Sequence, residues 1–234
     1  MLGIAKNELI AILGGTLIDG TGAGPVHNSI IVIKDKHIVE INTADSFAIP
    51  RETASIFDAA GKTILPGLID AHTHIVHSGR HSDAQMLEEI APLKVLRAAF
   101  HAKNTLEAGF TSIRNLDAPL WIDVGLRDAI NQGLAPGPRM MVSGYKITST
   151  GSDFPLYPPE VIIHGRETMD SPHEVRKAVR TLLAGGVDLI KVMASGRTFR
   201  KTSSPDALAL TLEEIQAAVE EAHNQGRKVA AHAH

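Results

Sequence analysis

Cysteine is missing altogether from the 234 residues, which excludes a disulfide framework and any thiolate metal site. A metal ion held by this chain would need histidine, carboxylate or a chemically modified lysine as donors. Blocks of basic residues are also missing, and the formal net charge is −3 with a pI near 6.4, so neither nucleic acid nor an anionic membrane is an expected partner. No apolar stretch approaches the roughly 20 residues of a membrane span. The apolar run 9–13 is too short for a signal-peptide core with its usual flanks. The expected location is therefore the cytoplasm. What the chain does have is 44% hydrophobic and 21% charged residues, the profile of a globular protein with a sizeable core.

The stretch that organises the rest is Leu65-Pro-Gly-Leu-Ile-Asp-Ala-His-Thr-His74, two histidines one residue apart at the end of an apolar run. Alternate side chains of a strand share a face. His72 and His74 would project together, about 7 Å apart along the strand, with Asp70 beside them. Two imidazoles on one face are half of a metal site, since neutral imidazole is a common ligand for zinc and its neighbours. A bare His-x-His can equally be two unrelated polar residues, and its context has to decide.

Before that stretch, residues 8–64 read as short strands punctuated by turns: 9–13, 16–18, 29–33 and 37–41 with a tight turn at Asp35-Lys36, then 54–57 and 62–65. His27 and His37 within them read as surface residues. From Leu68 the pattern becomes strand, helix, strand, helix, which argues for parallel βαβ units. Strands are expected at 68–74, 110–116, 139–144, 187–193 and 228–233. Helices are expected at 88–108 and 122–132, and after capping boxes at Ser171-Pro172-His173-Glu174 and Thr211-Leu212-Glu213-Glu214. Five units in 167 residues (68–234) average about 33 residues, the size of a βαβ repeat.

Several of these segments match one family. The Leu65–His74 stretch resembles the first barrel strand of the amidohydrolase superfamily of metal-dependent hydrolases. Gly109-Phe-Thr-Ser-Ile-Arg-Asn-Leu116, Gly186-Val-Asp-Leu-Ile-Lys-Val-Met-Ala-Ser-Gly196 and Val229-Ala-Ala-His-Ala-His234 resemble successive segments of its prolidase-like and imidazolonepropionase-like branch, which includes amide-cleaving toxin hydrolases. The resemblance implies an α/β fold: a TIM-type (β/α)8 barrel, of which five units occupy residues 65–234, with residues 1–64 as part of a small β-sandwich domain. Since a closed barrel takes eight strands and about 250 residues, the chain reads as truncated after barrel strand five. A sheet left open there would expose unpaired edges and apolar surface.

The resemblance also implies a ligand set. Lys191 lies on an apolar strand with Leu189 and Met193 on the same face, where a charged ammonium is costly unless paired, depressed in pKa or converted. By resemblance Lys191 carries a carbamate derived from CO2 that bridges two metal ions; otherwise its stem lies along apolar surface and its head reaches water. His232 occupies the place of the strand-five ligand. His72, His74, Lys191 and His232 would then bind one or two divalent ions, zinc foremost, with Lys191 and His232 taking part in catalysis. A strand-six histidine and a strand-eight aspartate, which the family also uses, have no counterpart up to His234, so residues 1–234 alone are expected to be inactive.

Substrate contacts are expected from loops at the C-terminal ends of the strands. In the 145–170 loop, relatives often carry Gly-Gly-His, where this chain has Gly151-Ser152-Asp153. Asp153 is the candidate there. Arg197, with Arg200 and Lys201, could hold a substrate carboxylate or form a solvated basic loop. His234 is a further substrate-side candidate, sharing a face with His232. Weaker candidates are His77 and His81 near the site mouth, and Asp117 at the end of strand two, which could equally cap the next helix. His101, His173 and His223 read as outer-surface residues of helices, and Trp121 as a packing residue. The function implied is hydrolysis, by metal-activated water, of an amide or peptide-like bond next to a carboxylate in a small molecule: a dipeptide, an N-acyl amino acid or an amide toxin. A cyclic-amide hydrolase or deaminase, or a non-catalytic metal- or partner-binding fragment, are the alternatives. Relatives commonly assemble, so the complete form is expected to be a homo-oligomer.

Overall fold

The computed structural model describes residues 9–44, 53–77, 79, 89–152, 167–196 and 204–234. They form two compact units, Met1–Gly67 and Leu68–His234.

The first unit is a mixed sheet of five strands: β1 (Leu9–Leu17), β2 (Val26–Lys34), β3 (His37–Thr43), β4 (Thr53–Asp58) and β5 (Thr63–Ile64). β3, β2 and β1 are antiparallel, and both β4 and β5 run parallel to β1. Among the described residues this is one sheet. The sequence suggests two strands on either side of Gly14-Gly15, but the structure has one. Gly14 adopts φ +80°, so the backbone bulges there and the strand continues. Ser29 Oγ donates to the Gly15 carbonyl across the bulge at 2.9 Å. Residues 65–67 belong to this unit and not to the second.

The second unit alternates strand and helix: β6 (Leu68–Thr73), α1 (Ala91–Glu107), β7 (Phe110–Asn115), a 3-10 turn (Pro119–Trp121) running into α2 (Ile122–Asn131), β8 (Arg139–Val142), α3 (Pro172–Ala184), β9 (Leu189–Met193), α4 (Leu212–Asn224) and β10 (Lys228–His232). β6, β7 and β8 are paired in parallel, as are β9 and β10. A parallel bridge between Ile147 and Val192 joins the two sets, so the strands follow chain order. The helices cover one face. Alternate residues Ile113, Met140 and Val142 pack with Ala98, Ala102 and Leu126 of α1 and α2, and Ile190 and Val192 pack with Val175, Val179, Ala218 and Ala222 of α3 and α4. Arg114 and Lys191, which alternate with these, and His72, next to the Thr73 that pairs with buried Asn115, are left for the opposite face. Asp70, expected beside the two histidines, pairs instead with Ile113 across a register shift in β6 and lies on the helix side.

Helix starts follow local chemistry. Thr211 and Glu214 form a complete capping box. At α3 the box is altered: Ser171 Oγ accepts from Glu174 N, but the Glu174 carboxylate reaches back to the amide of Asp170 instead of Ser171. Trp121 packs as expected, with its ring 5.9 Å from that of Tyr145. His101 does not lie on the outer surface. It is half-buried, with Nδ1 2.9 Å from the Ile75 carbonyl.

Three strand ends are tied by buried side chains. Asn115 Oδ1 accepts from Ile75 N at 2.8 Å, and its Nδ2 donates to Asp123 Oδ2 at 3.2 Å. The same Asp123 oxygen accepts from Gly144 N at 3.0 Å, and Oδ1 accepts from Val124 N at 2.9 Å. Asn115 and Asp123 are both 0% exposed. Burial pushes the Asp123 carboxyl up to about 6, against the pull of its hydrogen bonds. A carboxyl whose pKa is raised on folding stabilises the fold most when protonated, and that contribution declines as pH rises from the unfolded value towards the folded one. The difference in melting temperature between the native chain and Asp123→Asn should therefore shift against the native chain between about pH 4 and pH 6 and be flat above. A difference independent of pH across that window would contradict this placement. The asparagine should cost about 1–3 kcal/mol, because its amide nitrogen would meet a donor where the carboxylate accepts.

Candidate metal centre

β6 ends at Thr73, so His72 is its penultimate residue and His74 lies just past the strand. The two rings lie edge to face with centroids 5.2 Å apart, and His77 adds a third ring 5.6 Å from His74. Desolvation lowers the pKa of His72, helped by the positive charges of Lys191 and Arg114 and opposed by Asp70. The pKa of His74 falls to about 4, again chiefly through desolvation. Both rings keep a side open to solvent, so the desolvation comes from protein walls around them rather than full enclosure. At neutral pH both imidazoles are uncharged, with a lone pair available for a metal.

Lys191 sits at the middle of β9, 2% exposed, between Leu189 and Met193 on the face away from the helices. Its head therefore does not snorkel to water. Its positive charge is among the causes that lower the His72 pKa. His232 ends β10 opposite Met193, with Nε2 3.3 Å from the Gly196 carbonyl. If Nε2 donates to that carbonyl, Nδ1 is left with the lone pair. His234 follows with its ring 4.7 Å from that of His232 and its amide donating to Ser195 Oγ at 3.0 Å. The structure thus brings together His72 with His74 at the end of β6 and His232 with His234 at the end of β10, with Lys191 on β9. Asp153 and Arg197 lie outside the described residues, as do His81, Arg200 and Lys201.

Among the described residues no three His, Asp or Glu side chains converge on one point. The donor chemistry fits a divalent ion: two adjacent neutral imidazoles, a third on β10 and a buried amine whose conversion to a carbamate would replace a cation with an anionic oxygen donor.

The sequence gives no hint of Lys146 and leaves Asp117 without an assigned role. Asp117 follows β7 with φ +123° and does not cap a helix. Its Oδ2 lies 2.6 Å from Lys146 Nζ in a buried ion pair, and its Oδ1 accepts from Lys146 N at 3.4 Å. Arg114 Nε donates to the Ala71 carbonyl at 2.7 Å, stapling β7 to β6 beside His72. The one signal for Asp117 is its position at a strand's C-terminal end; Lys146 stands in a polar stretch where a lysine draws no notice.

The model of the amidohydrolase family matches residues 63–234. The chain belongs to this family. Ochratoxinase of Aspergillus niger is 30% identical over 251 residues, spanning 97% of this chain and 50% of that protein. Imidazolonepropionase of Stenotrophomonas maltophilia is 34% identical over 93 residues, 39% of this chain and 23% of that protein. Among solved structures, a prolidase complexed with N-methylphosphonate-L-proline superposes with a TM-score of 0.83 at 28% identity, covering 97% of this chain and 56% of that one. The A. niger ochratoxinase structure gives 0.80 at 29%, covering 98% and 56%. The prolidase- and ochratoxinase-like branch of the family is thereby shown. These neighbours are TIM-barrel proteins, and the chain spans about half the length of the relatives it matches.

Zinc titration of His72→Ala and His74→Ala tests the pair directly. Each should weaken binding at least about 10-fold, whereas His173→Ala, on the exposed side of α3, should leave it unchanged.

Proposed function

We propose that this chain is the first part of a metal-dependent amidohydrolase barrel that cleaves an amide or peptide-like bond beside a carboxylate, in a dipeptide, N-acyl amino acid or amide toxin. What supports the reading is a histidine pair at the end of β6 and a buried lysine on β9, in a chain of the amidohydrolase family. The relatives matched over nearly the whole chain are named ochratoxinase and prolidase, whereas the imidazolonepropionase match spans 39% of it. This favours a linear amide over a cyclic one.

In this proposal His72, His74, Lys191 as its carbamate and His232 hold one or two ions, zinc foremost. A divalent ion there supplies Lewis acidity, polarising the scissile carbonyl and lowering the pKa of water. The chain's own residues do the rest. Low proton affinity keeps the β6 imidazoles available as ligands at neutral pH. The Gly196 carbonyl turns the His232 ring, and Leu189 and Met193 flank the buried Lys191, whose amine is the group that would take up CO2. The sheet edges at β6 and β10 are closed by three further βα units, and the complete barrel assembles into homo-oligomers. Asp153, Arg197 and His234 select the substrate.

Assay of the complete, zinc-loaded protein against Xaa-Pro dipeptides and N-acyl amino acids should show release of the free amino acid. Lys191→Ala should reduce turnover by at least about 100-fold. Equal turnover by the Lys191→Ala protein, or full turnover by residues 1–234 alone, would overturn the proposal.

A further inference from the structure

The buried pair of Asp117 and Lys146 plays no part in the mechanism above, yet it stands beside it. Leu116 N donates to the Thr73 carbonyl at 2.9 Å, so the backbone immediately before Asp117 is bonded to the backbone immediately before His74. Lys146 lies one strand further on, with its side chain 5% exposed against 13% for Asp117. A buried ion pair is a poor stabilising device, since desolvating two charges offsets most of their attraction and apolar residues of equal volume often do better. Its location invites a different role. Asp117 thus follows the residue bonded across the β6–β7 pairing to the one before His74, and Lys146, 2.6 Å from the Asp117 carboxylate, brings the opposite charge to the same place. A metal ion bonded to the His74 ring would feel both fields, strongly because it carries two charges.

We propose that Asp117 and Lys146 are positioning residues that set the metal affinity of the His72–His74 site by charge, the carboxylate strengthening it and the ammonium limiting it. The inference rests on the reading of His72 and His74 as metal ligands. It has a signature that a structural role lacks. If the pair only held β7 to the segment after β8, removing either partner would loosen the site and weaken metal binding. If it acts by charge, the two removals move the affinity in opposite directions.

The test is zinc affinity of the full chain, by competition with a chromophoric chelator at a single pH near neutrality, alongside the melting temperature of the metal-free protein. Asp117→Asn should weaken zinc binding about 10–100-fold. Lys146→Met should tighten it several-fold even while the metal-free protein loses thermal stability. Lys146→Arg, which keeps the charge, should match the native chain. Should Asp117→Asn fail to fold, the two Lys146 variants decide: tightening by methionine with no change by arginine supports the inference, and weakening by methionine overturns it. Weaker binding in both Asp117→Asn and Lys146→Met, or unchanged affinity in both, also overturns it. Zinc binding that survives intact in His72→Ala and His74→Ala would instead bring down the metal-site reading, and this inference with it.

Discussion

The second unit depends on a polar constraint inside an apolar layer. Asn115 and Asp123, both fully buried, accept or donate to groups on three successive segments: the amide of Ile75 after β6, the carbonyl of Asp117 after β7 and the amide of Gly144 after β8. A buried polar group without partners costs about 1–3 kcal/mol, so the network tolerates little slippage of one strand against the next. Apolar contacts alone would accept several registers. The network selects one, and so fixes how far each strand end reaches into the region where His74, Asp117 and Lys146 meet.

Much of the fold could be read from the chain because its periodicity is local. The alternation of five strands with four helices, the cap at Thr211 and the hairpin turn at Asp35-Lys36 each depend on residues within a few positions of one another, and the structure has them. Gly14-Gly15 misled because two glycines suggest a break, whereas their conformational freedom here permits a bulge inside a continuous strand. His101 misled because a histidine on a helix reads as solvent-facing unless the carbonyl it meets, that of Ile75 26 positions earlier, is known.

The site was legible in part for the same reason. His72 and His74 stand out by a spacing of two at the end of an apolar run, although the strand itself stops at Thr73, and Lys191 by being a cation in an apolar run. Asp117 and Lys146 lie 29 positions apart in segments with no periodic signal, and only the closure of β7 against the stretch after β8 brings them together. Asn115 and Asp123 were silent for a related reason. Each is an unremarkable polar residue until the neighbouring strand ends supply a bonding partner.

The order of the strands in the second unit is the order in which they are made. β7 pairs with β6, β8 with β7, the segment after β8 with β9, and β10 with β9, so each new strand finds its partner already present at the growing edge. Each pairing closes over a single repeat, so less chain has to be brought together than for strands at opposite ends of the unit, and synthesis from the N-terminus delivers the strands in sequence. The unit is thus suited to vectorial folding, one repeat at a time. At every stage the leading strand offers its unpaired backbone as the template for the next.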